Sequence, residues 1–349
     1  MHWLTNCWYA AAWADEIKPR ERLARRIIDQ PILFWRDDAG RVRALANRCP
    51  HRLAPLSLGR IEGNVVQCGY HGLRFDGDTG RCVQNPHGPL LGALAVRPYP
   101  LVERHRLLWI WMGEPDLADD REIPDLSFAD RAPEHAFSKG YMHTVADHRL
   151  LEDNILDLSH GDYLHVATLG GGSFTRATVQ VEECGDKLHV RWVAQGEKAI
   201  PIWQPELPDP DALTDMTTEV LWYPSGVMFL GSELAVKDTP DAGLATWNAH
   251  IMTPETAVST HYLYCNSRNY RVDDAAYNAA ITAGLAIAFG GEDKPMIEAQ
   301  QEQIGEADLL DCAPTLLSID NASTRARRIY RRLVEAERAA IENPVGATA

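Results

Sequence analysis

Apolar and polar positions alternate in short runs from residue 24 to about 115. The runs are RRIIDQPILFWRD, RVRALAN, GNVVQCGYHGLRFD and RLLWIWMG. Asp37-Asp38-Ala39-Gly40, Glu62-Gly63-Asn64 and Asp76-Gly77-Asp78-Thr79-Gly80 separate them, and these are turn compositions. The pattern predicts a small antiparallel all-β domain. The acid-, Pro- and Gly-bearing stretch 113–126 reads as a linker, which sets two domains at 1–115 and 116–349. From about 145 to 166, Leu151, Ile155 and Leu158 recur at i, i+4, i+7 and mark one helix stripe, with Asp147 as its N-cap. Strands return over 176–265 as ATVQVEE, KLHVRWVAQ, MTTEVLWYP, GVMFLG, ATWNAHIMTP and STHYLYCNS. The insert 198–215 carries four prolines and reads as irregular, either a binding loop or a surface excursion. Residues 273–305 and 319–341 read as helices, the second opening at Asp320 or Asn321. The order is an all-β domain, then a helix, a large sheet and more helices: α+β in two domains.

Composition narrows the function. The formal charge of −15 would repel a phosphate backbone, so no nucleic-acid partner is expected. No apolar run is long enough to span a bilayer, so no membrane association is expected. The N-terminus MHWLTNCWYAAAWADE lacks a basic region ahead of an apolar one, which predicts a cytoplasmic protein. Seven cysteines in such a chain predict reduced thiols or metal ligands.

Four residues stand out. Cys49 and His51 form C-x-H, and sixteen residues later Cys68 and His71 form C-x-x-H. Two thiolates and two imidazoles on paired turns suit one tetrahedral zinc. The other solution is a two-iron, two-sulfide cluster with both Cys on one iron and both His on the other. Each half mixes a Cys with a His, unlike zinc fingers, which usually segregate them. Pro50, Gly69 and Gly72 fit tight loops whose N–H groups point at sulfide. A zinc-stabilised binding module without redox activity is the rival reading.

CPHRLAPL followed by CGYHGLRFD resembles the cluster motif of Rieske non-haem iron aromatic-ring oxygenases, and WIWMGEP at 109–115 is similar to the end of that family's β domain. The resemblance covers essentially the whole chain. It implies an N-terminal all-β Rieske [2Fe-2S] domain. An α+β catalytic domain would follow, with a large antiparallel sheet flanked by helices in a helix-grip (START-like) arrangement. Cys7, Cys82, Cys184, Cys265 and Cys312 have no ligand spacing and read as ordinary thiols.

A Rieske centre carries electrons but does no chemistry on a substrate, so a second site is needed. His160 and His165 are five apart, about 140° on an ideal helix, so they face one point only if the helix loosens. Gly161 and Asp162 lie where such a break would help. The pattern D-x-x-H-x-x-x-x-H is similar to the family's mononuclear-iron motif, whose two His and one carboxylate leave positions open for dioxygen. Carried over, His160, His165 and Asp293 would be the iron ligands, with Glu292 as the fallback. Asp293 precedes Pro295, and its alternative role is a helix N-cap. The resemblance makes Asp157 the acid that links His160 to a cluster His71 of the adjacent subunit across a homotrimer interface. It places Asn154 close to the iron.

Hydroxylating one C–H bond takes two electrons from outside the substrate, and the second oxygen atom leaves as water. The chain shows no G-x-G-x-x-G after a strand, so NADH must act through a partner. The resemblance implies a separate flavin and plant-type [2Fe-2S] reductase. Length, TNCWYAAAW and EDKPMIEAQQ resemble the branch of vanillate and dicamba O-demethylases and toluenesulfonate methyl-monooxygenase. That implies O-demethylation, with release of formaldehyde, or methyl hydroxylation of a substituted aromatic acid. Ring hydroxylation, cis-dihydroxylation and N-demethylation are the alternatives. His250 matches a substrate-facing position of the family, and Met228 and Phe229 either line the same cavity or pack in the core. Ala283, Gly284 and Ala286 are small where a demethylase relative has a large aromatic, which argues against dicamba itself. Five Arg between 325 and 332 form either a solvated face or a docking strip.

Overall fold

The computed structural model describes residues 3–239 and 243–342. The chain forms two compact units, Thr5–Ile123 and the residues from Pro124 onward together with Trp3 and Leu4.

The first unit is built of ten strands: β1 (Trp8–Trp13), β2 (Arg22–Ile27), β3 (Gln30–Arg36), β4 (Val42–Ala46), β5 (Arg60–Glu62), β6 (Val65–Gln67), β7 (Arg74–Asp76), β8 (Cys82–Gln84), β9 (Leu101–Arg104) and β10 (Leu107–Trp111). They pair antiparallel in three sheets, ordered β1-β10-β9, β2-β3-β4 and β5-β6-β7-β8. The alternation starting near residue 24 misses β1. All six residues of WYAAAW are buried, so no polar positions mark its period. The unit also ends eight residues past the expected 115. The Trp8 indole N–H donates to the Asp119 carbonyl at 2.8 Å, and Arg104 pairs with Asp120 at 2.7 Å. These bonds tie the acidic stretch back onto the sheet.

Among its described residues the second unit carries seven strands: β11 (Ser138–Thr144), β12 (Thr178–Cys184), β13 (Lys187–Lys198), β14 (Leu213–Tyr223), β15 (Val227–Val236), β16 (Leu244–Thr256) and β17 (Ser259–Arg268). They form one antiparallel sheet ordered β11-β17-β16-β15-β14-β13-β12. Its helices are α1 (Phe128–Arg131), α2 (His148–Leu156), α3 (Gly161–Leu164), α4 (Ser173–Arg176), α5 (Ala275–Ile287), α6 (Lys294–Ile304) and α7 (Asn321–Glu342). This is the expected all-β unit followed by a large antiparallel sheet with helices. Along β14 burial alternates, and across the sheet Met228, His250 and Tyr264 stand in one register row and so share a face. β17 is buried throughout, on both faces.

The expected helix over 145–166 is three pieces. Asp147 caps α2 by accepting from the Arg149 N–H at 2.9 Å, as expected. The helix stops at Asp157, whose backbone is extended (φ −117°, ψ 92°). A 3₁₀ turn at Leu158–His160 and the short α3 follow. The break therefore lies four residues before Gly161, which is itself helical.

Buried charges fix α2. Arg327 of α7 pairs with Asp153 at 2.6 Å, and the Trp222 indole donates to Glu152 at 2.8 Å. Part of the arginine strip is thus internal. Of the rest, Arg331 lies 3.5 Å from Asp311 and Arg332 lies 2.8 Å from Asp186. The insert narrows to the residues between β13 and β14 and is strapped down. Trp203 donates to the Tyr270 hydroxyl at 2.8 Å, and Glu206 pairs with Arg271 at 3.0 Å. Among the described residues no helix is long and apolar enough to cross a membrane.

Candidate metal centres and substrate pocket

Two loops of the first unit are built alike. The Cys49 N–H donates to the Ala54 carbonyl at 2.9 Å and the Cys68 N–H to the Leu73 carbonyl at 2.8 Å. Inside each loop the residue four on closes back onto the cysteine: Leu53 onto Cys49 at 2.9 Å, Gly72 onto Cys68 at 3.1 Å. Both closing residues are left-handed, Leu53 at φ 59° and Gly72 at φ 74°. Glycine adopts this freely, whereas Leu53 bears a strain of roughly 1–2 kcal/mol.

The loops set Cys49 and Cys68 side by side in an apolar core with Leu33, Trp35, Leu56, Val66 and Phe75. Burial pushes the Cys49 thiol up to about 11, opposed by the His51 and Arg52 N–H groups directed at it. A bound metal cation is what would make this thiolate form. His51 and His71 stand outside the core with ring centroids 4.5 Å apart. Paired thiols within and paired imidazoles without suit two metals in a row. One tetrahedral zinc would draw all four ligand atoms to a point. Among the described residues, three ligand atoms lying within 4.8 Å of one another occur only at His160, His165 and Asp293.

That second group is assembled from two directions. The stop at Asp157 swings His160 onto the 3₁₀ turn, and His165 closes α3. Their rings come to 5.3 Å despite the five-residue spacing. Asp293 arrives on a π-helical stretch, Ala288–Asp293, between α5 and α6. Such wide turns frequently mark functional positions. Asp293 has helical backbone and caps nothing with its side chain. Its carboxylate is buried, 3.1 Å from His165 Nε2 and 3.6 Å from His160 Nε2.

The group is braced. Asn154 Nδ2 donates to Asp293 Oδ1 at 3.2 Å, and the Asp147 N–H donates to Gln301 of α6 at 2.7 Å. These bonds tie the segment carrying His160 and His165 to the one carrying Asp293. Two imidazoles and one carboxylate with open positions suit a non-haem iron. The His160 Nδ1 meets the backbone carbonyl of Asp157, not its carboxylate. The carboxylate instead accepts from the Ser159 N–H at 3.0 Å and hydroxyl at 2.7 Å. Both bonds use Oδ1, so Oδ2 has no partner among the described residues. Glu292, weighed as a substitute ligand, lies behind His165, 2.7 Å from Nδ1. Burial disfavours charge on His165, but Asp293 and Glu292 outweigh it and raise its pKa.

The sheet supplies a wall. His250 is buried beside this group, and burial pushes its pKa down to about 4. Its Nδ1 lies 2.6 Å from the Tyr262 hydroxyl. Phe289 of the π-helical stretch packs on His250 at 5.2 Å and on Tyr264 at 4.7 Å. Met228, fully buried, neighbours His250 in the register. Phe229 points to the other face and packs on Phe128 at 5.7 Å. Gly284 is exposed with nothing within 4 Å of an added Cβ, so it is not brought to the metal group. Ala283 and Ala286 line a separate open cleft of about 620 Å³ with Ser138, Asn278 and Thr282. Sequence reading did not single out Tyr262 or Phe289. Tyr262 sits in the uniformly buried STHYLYCNS, where nothing separates a functional tyrosine from a packing one.

Two candidate metal centres, one on an all-β unit and one on an α+β unit, are the arrangement of a Rieske-type oxygenase component. Residues 7–99 match the Rieske [2Fe-2S] domain, and residues 144–336 match the vanillate O-demethylase oxygenase C-terminal domain. The chain belongs to this family. It is 36% identical to the oxygenase component of chloroacetanilide N-alkylformylase from Rhizorhabdus wittichii, covering 96% of each chain. It is 35% identical to the oxygenase component of dicamba O-demethylase from Stenotrophomonas maltophilia, covering 97% of this chain and 100% of that one. Dicamba monooxygenase bound to 3,6-dichlorosalicylic acid superposes with a TM-score of 0.88 at 34% identity, covering 97% and 100%. The cofactors are those of the family, a [2Fe-2S] Rieske cluster and a mononuclear non-haem iron. The protein is an oxidoreductase, the oxygenase component of a monooxygenase system that takes electrons from a separate reductase.

Proposed function

We propose that the protein O-demethylates, or hydroxylates the methyl group of, a substituted aromatic acid. The carrying observation is the His160/His165/Asp293 group set beside buried, neutral His250. When bound, the mononuclear iron supplies dioxygen activation with electrons relayed from the cluster. Cys49, His51, Cys68 and His71 would hold the cluster, and His160, His165 and Asp293 the iron. Asn154 keeps the Asp293 carboxylate in place. Met228 and Phe289 exclude water around the substrate ring, and His250 hydrogen-bonds its polar substituent. Gly284, away from this wall, fits no contact with a small substrate. A hydroxylated methoxy carbon is a hemiacetal and collapses to a phenol and formaldehyde.

The working unit in this reading is a cytoplasmic homotrimer fed by a flavin and plant-type [2Fe-2S] reductase. Asp157 Oδ2, left open by the Ser159 bonds, suits a bridge from one subunit to the half-buried His71 of the next. N-dealkylation is the second reading, favoured by the 36% identity to the chloroacetanilide N-alkylformylase component. Product analysis on methoxylated, methylated, sulfonated and N-alkylated aromatics, with reductase and NADH, tests both. Formaldehyde with an equimolar phenol supports the first, an N-dealkylated amide replaces it with the second, and a dihydrodiol excludes both.

A further inference from the structure

The two histidines of the candidate iron group are held from behind by unlike groups. His160 Nδ1 faces a neutral backbone carbonyl, that of Asp157. His165 Nδ1 faces a carboxylate, Glu292 Oε2 at 2.7 Å. Glu292 and Asp293 are consecutive on the π-helical stretch, yet they meet opposite nitrogens of one ring, Nδ1 and Nε2. The ring is 3% exposed, so it has little room to flip. Asp293 is buried and reaches both histidines, whereas Glu292 keeps 35% of its side chain exposed and contacts only the far edge of His165.

We propose that Glu292 is the positioning residue of the iron site. It takes the His165 Nδ1–H and so presents the Nε2 lone pair on the Asp293 side. Its charge makes His165 the stronger donor of the two imidazoles. A carboxylate behind a ligating histidine fixes the tautomer and raises ligand basicity, and its loss typically costs 10–100-fold in metal affinity. The proposal rests on the reading of His160, His165 and Asp293 as the iron ligands.

The test removes the mononuclear metal with a chelator, keeps the cluster as judged by its visible spectrum, and titrates Co(II) into the intact protein. Glu292→Ala is expected to raise the Co(II) dissociation constant roughly 10–100-fold. Glu292→Gln, which keeps an acceptor without the charge, should fall between it and the parent. The thermal midpoint of the metal-free protein should not change in either variant, since a purely structural role would move that and not the affinity. Co(II) affinity within about twofold of the parent in Glu292→Ala overturns the proposal. Asp293→Ala serves as the control: if it too binds Co(II) like the parent, the reading of the iron site itself fails.

Discussion

The Tyr262 hydroxyl lies 2.6 Å from Nδ1 of His250, and both side chains are buried. The hydroxyl has no second hydrogen-bond partner among the described residues, so its hydrogen goes to Nδ1. Burial keeps Tyr262 protonated and His250 neutral. His250 then carries its own hydrogen on Nε2 and offers it as a donor. A substrate group that accepts, such as a carboxylate, phenolate or ether oxygen, is the match. Tyr262→Phe frees the tautomer and loses one buried hydrogen bond, worth about 1 kcal/mol. KM for an acidic substrate should rise several-fold with kcat nearly kept. Steady-state kinetics checks this, and an unchanged KM refutes it.

Two buried groups give stability opposite slopes with pH. His250 titrates at about 4 folded against 6.5 unfolded, so its contribution is full above 6.5 and lost as pH falls towards 4. Glu152 is pushed up to about 8 by burial, with Asp153 adding to the effect and the Trp222 bond opposing it. Its contribution is full below 4.5 and lost as pH rises through 8. Between 6.5 and 8 only the Glu152 slope remains of the two. Glu152→Gln keeps an acceptor for Trp222 and should flatten the fall in melting temperature from pH 6.5 to 8.5. The effect is on the order of a few kcal/mol at the alkaline end. Calorimetry at both pH values decides it.

Arg327 and Asp153 clamp α7 to α2, and both are largely buried. Removing one partner strands a buried charge, at a cost of roughly 3–5 kcal/mol. Arg327→Ala should therefore lower stability by that amount in urea unfolding, far more than Arg332→Ala, whose pair is exposed.

Asp157→Asn preserves the Oδ1 acceptor for Ser159 and leaves the backbone carbonyl on His160 untouched. Both metals should stay bound while turnover with the reductase falls at least about tenfold. Retention of near-parent turnover with full metal content would remove the bridging role.

Much of this was legible in the chain. Cys49, His51, Cys68 and His71 announce themselves because a metal needs those atoms on short loops, and β14 shows its burial by alternation. The grouping of His160, His165 and Asp293 was readable in the chain, and its supports were not. The break at Asp157 is set by side-chain bonds to Ser159, which leave no mark in apolar periodicity. Glu292 and Asp293 are adjacent acids, and only the π-helical turn separates the one that faces both histidines from the one behind. Gly284 was singled out by comparison with an aromatic at that place, but α5 turns it to solvent.

In the proposed function His160, His165 and Asp293 hold an iron distinct from the cluster. Iron and acid-labile sulfide per chain, measured in the parent and in Asp293→Ala, decide this. The parent should show about three irons to two sulfides, and the variant about two to two with the cluster spectrum intact. An unchanged ratio in Asp293→Ala would contradict it.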